Sequence, residues 1–466
     1  MRTRVGVVVW GCVAVLSICA CGTRRLNDGD GGRGGNDTGL PTPSSFTVDW
    51  TTSTPGVGIR LACSPGGDAI AYYIELPASR QVAAGQTRRY HAGAWADRVA
   101  LPVLADQVQA TAMSADGTAT FAWTASAAAV LMTDDLYVGR LAPDDSWSDP
   151  ILVGNGGIGW WQEPTPPQPV LSLDASGSGL MTWSRIDQEA KQPPFEPASV
   201  WAAHALPDGT WLNDGSIDQP GGAWSSRPSL LARAQSDTIA AWTWTDKTRV
   251  QVLVARRTGS QWSAPSVVED AAAADLQFGT NDGPMLAGGP TGDVVLVYQR
   301  IYFVGTTESR FALVSRHSSD GVSWSDAEEL TPSGAGGFRL VHNGAGGAAV
   351  IWVDSGYVNT PPTPTAAMRV LASEAGWSAP ITLMPSAANG LVIQQPDGRI
   401  VFFYAEGDGV SPSALDLRRY VPATGWQPVE TVDQNAQRVT DLCIAGDQVI
   451  AAWERSNTIG VAAVFP

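Results

Sequence analysis

The chain has 466 residues, a formal net charge of −16, 50 Gly, 32 Pro and 19 Trp, and only 16% charged residues. It holds two lysines, Lys191 and Lys247, so no lysine-rich patch can neutralise phosphate, and nucleic acid is excluded as a partner. An acidic balance of this size suits a protein whose surface faces the exterior of the cell.

The first 21 residues read MRTRVGVVVWGCVAVLSICAC. Arg2 and Arg4 form a positive start, and Val5 to Ile18 is apolar but too short for a comfortable membrane span. This is the anatomy of a secretory signal. Its end, Ile18-Cys19-Ala20-Cys21, resembles the lipobox of bacterial lipoproteins. That resemblance implies a signal peptide over 1–20, cleavage before Cys21 and a lipid on Cys21 that attaches the chain to a membrane of the bacterial envelope. Gly22 at the next position, where Asp would retain the protein, implies the outer membrane if the organism has one. Loss of Arg2 and Arg4 leaves 27 of the 29 Lys and Arg against 45 Asp and Glu, a net charge of −18. Residues 21–45 are Gly, Asp, Asn, Pro and Ser with almost nothing apolar. They cannot pack and read as a flexible tether. The folded domain is expected over 46–466.

From there one unit repeats. A Gly/Asp turn leads into alternating small and aliphatic residues that end in an aromatic. Copies end at Tyr73, Trp123, Trp183, Trp242, Tyr298, Trp352, Tyr404 and Trp453. A second run, a turn followed by Trp and then an aliphatic strand, recurs at Trp95, Trp147, Trp211, Trp262, Trp324, Trp377 and Trp426. With one strand before the first run and one between the two, each unit has four short strands. A lone four-stranded sheet cannot bury both faces, whereas radial stacking covers each sheet with its neighbours. The fold class is therefore all-β, a β-propeller of eight four-stranded blades, with seven as the alternative. The eighth unit stops after three strands, and the lone strand SSFTVDW (44–50) can complete it and close the ring. Cys63 and Cys443 fall in the innermost strands of the first and last units. A disulfide between them would span the seam, removing about 4 to 5 kcal/mol of loop-closure entropy from the unfolded chain.

The turn SSDGVSW (318–324) resembles the Asp-box of sialidase-like propellers, shortened by one residue. In that family the box is structural, which implies that Asp320 organises a turn and that Trp324 packs between blades. The family's catalytic set of arginines, a Tyr–Glu pair and an acid Asp is not reproduced. GFRL (337–340) lies late and lacks the expected Pro, and no spacing pairs Tyr302 or Tyr357 with Glu163. His91, His204, His317 and His342 are scattered, so neither a metal site nor a cofactor is expected.

The long connections 154–168, 187–199, 218–227, 270–284, 301–308 and 354–367 follow second or fourth strands, so all emerge on one face. They carry the aromatics that break the period. The expected ligand-binding residues are Trp160, Trp161, Glu163, Phe195, Trp224, Arg227, Tyr302 and Tyr357. Exposed aromatics beside acids and amides suit a glycan or a protein partner of the envelope or the exterior. The leading expectation is a monomeric, non-enzymatic binding protein. One alternative is a divergent glycan-active hydrolase or lyase, with carboxylates drawn from Glu163, Asp187, Glu189 and Asp282. Another is a structural module of an envelope complex.

Overall fold

The computed structural model describes the chain from Thr47 to Val464 apart from 52–55, 76–83, 102–107, 127–133, 157–168, 174–177, 187–197, 207, 223, 226–227, 234–236, 274–275, 279–282, 289–292, 305–307, 332–334, 343–346, 355–364, 373–375, 385–388, 406–412 and 456–457. The expected signal peptide, Cys21 and the tether lie outside the described residues. Residues 46–466 form one compact unit.

Among the described residues every element is a β-strand paired antiparallel with its neighbours, and the fold is a β-propeller. The strands fall into seven hydrogen-bonded sheets. Six of them are single blades, starting from inner strands Gly56–Cys63, Val108–Met113, Val170–Leu173, Ser229–Ala232, Met285–Gly288 and Ala335–His342 (blades 1 to 6). The seventh sheet is eight-stranded and holds two four-stranded units. Its strand Glu430–Ala445 is shared. The first half pairs with Ser413–Val421 as the outer strand of blade 7, which begins at Asn389–Gln394. The second half pairs with Gln448–Arg455 as the inner strand of blade 8. Thr47–Thr51 then pairs with Thr458–Val464 and supplies the fourth strand of blade 8. The sequence placed a break between two separate strands over 430–445. The chain instead runs through, bending at register shifts on either side of Ala436, as bulges allow.

Two-residue alternation explains the packing. In Ala69–Glu75 of blade 1, Ala69, Ala71 and Tyr73 pack against blade 8, while Ile70, Tyr72 and Ile74 pack against blade 2. The same division repeats, giving eight core clusters, each shared by two consecutive blades, with the last joining blade 8 to blade 1. The inner strands touch in the same cyclic order. The eight aromatics that end the first run are all exposed by 3% or less. Trp324 is half-buried against the cluster between blades 4 and 5. The 318–324 turn supports it. Asp320 accepts the backbone N–H groups of Val322 and Ser323 (2.7 Å each) and the Ser318 hydroxyl (2.9 Å). Gly321 adopts φ +73°, and a Cβ there would lie 2.4 Å from Ile239 Cδ1 of blade 4.

The outer strands would present unpaired backbone at each blade edge. Pro150, Pro265, Pro380 and Pro428 interrupt four of them, and register shifts follow. Such breaks discourage edge-to-edge pairing.

The seam between blades 8 and 1 joins residues near opposite ends of the chain. Cys63 and Cys443 are bonded, with Cα atoms 5.7 Å apart. Leu61 donates its N–H to Asp441 (2.8 Å), Tyr90 its hydroxyl to Gln448 (2.7 Å), and Gly58 its N–H to Glu454 (3.3 Å). Opening the disulfide frees the longest loop the chain can close here, with sequence separation 380. Cys63→Ser or Cys443→Ser should lower stability by about 2–4 kcal/mol, seen as a lower urea midpoint with a steeper slope, because the unlinked unfolded chain exposes more surface. Unreduced wild-type protein should give no reactive thiol from this pair.

Candidate functional site

Within each blade the first-to-second and third-to-fourth turns lie at one end of the strands, and the second-to-third and fourth-to-first connections at the other. Among the described residues, the first end has tight, internally bonded turns. Asp116 accepts from Ser114 Oγ (2.5 Å) and Thr118 N–H (2.9 Å), and Asp208 accepts from Thr210 N–H (2.8 Å). Their polar groups are occupied in holding the backbone.

The candidate residues were expected at the other end. Trp160, Trp161, Glu163, Phe195, Arg227 and Tyr357 lie outside the described residues, as do Asp187, Glu189 and Asp282. Trp224 begins the short strand Trp224–Ser225, which pairs with the second strand of blade 4 opposite Thr245. Leu276–Phe278 likewise pairs with the second strand of blade 5. Parts of the 218–227 and 270–284 connections are thus extra strands that lengthen blades 4 and 5.

Tyr302 departs from expectation. Most of the 301–308 segment is not a loop: strands Val294–Val304 and Glu308–Ser318 extend through it as a long hairpin. Tyr302 is half-buried in that hairpin. Its hydroxyl accepts from Arg300 (3.2 Å), and the Arg310 guanidinium lies 5.7 Å from its ring centre. It belongs to a network between blades 4 and 5 centred on Glu269, whose side chain is 8% exposed. Arg300 donates to both oxygens of that carboxylate (2.5 and 2.6 Å), and Arg316 adds a third contact at 3.2 Å. The Tyr298 hydroxyl also donates to it and accepts from Arg316 (3.1 Å). Burial alone would raise the Glu269 pKa. The hydrogen bonds from Arg300 and Tyr298 outweigh it and hold the carboxyl below its ordinary value. Burial, then the Glu269 charge, pushes the Tyr298 phenol up, so it stays a donor.

Glu269 is one of three acids in equivalent places. Each stands at the outer strand of one blade or just beyond it and accepts from the aromatic that ends the second strand of the next. Asp433 accepts from Trp453 Nε1 (2.6 Å) and Arg455 (2.5 Å). Asp218 accepts from Trp242 Nε1 (2.8 Å), the N–H groups of Val200 (3.0 Å) and Gln219 (2.7 Å), and the Ser225 hydroxyl (2.6 Å). These acids were not singled out in the sequence. Their signal is an acid about 20 to 30 residues before each second-strand aromatic, legible only once the blades are aligned. Elsewhere, a cavity of about 380 Å³ opens along the channel between inner strands of blades 1, 6, 7 and 8, where the disulfide, His342 and Gln394 meet aliphatic side chains. Among the described residues no group of His, Cys, Asp and Glu could hold a metal ion.

Removing the central acid should expose what the network holds. Glu269→Gln leaves Arg300 and Arg316 without their counter-charge and should cost about 2–3 kcal/mol, less than a fully enclosed pair because both guanidiniums keep an edge toward water. A carboxyl held below its ordinary 4.5 contributes stability above that pH and loses it as pH falls further. Thermal unfolding from pH 7 to pH 3 should therefore show a shallower acid slope in the variant.

No family model matches the chain, and no curated protein matches it. Solved structures do. An α-L-arabinofuranosidase from Fusarium graminearum in complex with an iminosugar inhibitor is 13% identical, with 76% of this chain and 91% of that one covered and a TM-score of 0.39. An α-L-arabinanase from Penicillium chrysogenum complexed with arabinobiose is 14% identical over 91% of this chain and 98% of that one, with a TM-score of 0.39. A lectin from Aleuria aurantia is 11% identical over 69% and 94%, with a TM-score of 0.34. At these identities the likeness concerns the fold alone.

Proposed function

We propose that this chain is a lipid-anchored protein of the bacterial envelope whose propeller recognises a glycan or a protein partner without catalysis, through the end of the blades that carries the long connections. The observation that supports this reading is the contrast between the two ends. At one, the described turns are short, and Asp116, Asp208 and Asp320 are used to hold their own backbone. The other bears connections longer than closure requires, and two of them fold back as extra strands on blades 4 and 5. Long connections held on a rigid scaffold are where binding groups concentrate. Among the described residues, the buried acids are committed to the seams between blades. Glu269, Asp218 and Asp433 accept hydrogen bonds from structural donors and are not paired with one another.

Trp160 and Trp161 are the residues on which the reading stakes most. On a glycan array and in pull-downs from envelope extracts, the full-length protein should capture a defined partner. The Trp160→Ala/Trp161→Ala double variant should lose at least about tenfold in affinity, as expected when stacking aromatics are removed. Turnover of a polysaccharide panel that disappears on mutation of Glu163, Asp187, Glu189 or Asp282 would replace binding with hydrolysis. The anchor is tested separately: Cys21→Ala should move the protein from the membrane fraction to the soluble one and abolish incorporation of a fatty-acid label.

A further inference from the structure

The acid between blades 3 and 4 does more than its equivalents. Asp433 lies inside the continuous strand Glu430–Ala445, so it has no separate connection to hold. Asp218 stands where the chain leaves the outer strand Trp211–Ser216 and before it enters the inner strand Ser229–Ala232. Two of its four donors, Val200 N–H and Trp242 Nε1, belong to the blades. The other two, Gln219 N–H and Ser225 Oγ, belong to the connection itself. The carboxylate therefore ties that segment to both blades at once.

Independent contacts place the same segment on blade 4. Ile217 is 5% exposed and Ser225 2%. Ser225 pairs opposite Trp244, and Trp224 opposite Thr245. At Gly222 a Cβ would come within 2.4 Å of Trp244 Nε1, so the backbone lies directly on that indole. Oδ1 and Oδ2 each receive two donors, a complement that suits a carboxylate and that an amide cannot reproduce, because an amide nitrogen would face two N–H or O–H groups.

We propose that Asp218 is a positioning residue that clamps residues 217–222 and 224–225 of this connection onto blades 3 and 4, so that the backbone of Trp224 is a preformed part of the long-connection face. Its consequence for recognition rests on the binding function proposed above; the clamp itself does not.

Hydrogen exchange followed by mass spectrometry tests it on the full-length protein in detergent. Asp218→Asn and Ser225→Ala should each speed exchange in peptides covering 217–228 by about tenfold or more, the scale expected for losing a buried hydrogen-bond partner. Ser225→Ala keeps the Trp242 bond, so it should loosen the connection while the thermal midpoint stays near wild type. Asp433→Asn breaks the equivalent seam pair and should leave 217–228 unchanged. Wild-type exchange in Ser225→Ala, or loosening of 217–228 by Asp433→Asn to the same degree, would overturn the clamp. If Asp218→Asn does not fold, Ser225→Ala decides alone. A loosened connection with undiminished partner capture would overturn its role in recognition and leave the clamp standing.

Discussion

Two apolar faces on each four-stranded sheet are the constraint from which the rest follows. Alternation sends Ala69, Ala71 and Tyr73 one way and Ile70, Tyr72 and Ile74 the other. Neither face can meet water, and one neighbour covers only one of them. A row of such sheets leaves two bare faces at its ends, and a closed ring leaves none. The covalent and hydrogen-bonded seam between blades 8 and 1, together with the strand Thr47–Thr51 lent to blade 8, completes that ring.

The seams also explain why the chain is so rich in tryptophan. Sheets that radiate from a channel diverge toward the rim, and a large aromatic fills the widening gap. Filling it with indoles and phenols brings N–H and O–H groups into a dry place, where each needs an acceptor. At three seams an acid from the preceding blade supplies one: Asp218, Glu269 and Asp433. Where the acid would otherwise be a lone buried charge, as at Glu269, two arginines compensate it. At these three seams the polar chemistry of the described residues is thereby absorbed into holding blades together.

Aligning the repeat does not by itself separate pegs from binding groups. Tyr302 breaks the period and looked like a loop aromatic, yet it is half-buried in a strand beneath Arg310. The segment lacked a strong turn signal until Gly305, and the two strands simply continue. Glu269 sits in an ordinary amphipathic outer strand, SVVEDAA, and nothing local marks it. Its partners Arg300 and Arg316 come from the next blade, 31 and 47 residues further on. Trp160, Trp161 and Glu163 fall in a stretch outside the described residues.

What the sequence determined by itself was everything local or periodic: strand alternation, the Asp and Gly turns, four strands to a unit and the aromatic pegs. These follow from rules that act over a few residues and are repeated often enough to be read. The tertiary structure alone decided which acid meets which indole, that 430–445 runs as one strand through two blades, and that blades 4 and 5 are lengthened by strands from their own connections. Those outcomes depend on the angle and distance between neighbouring sheets, a quantity no single repeat encodes.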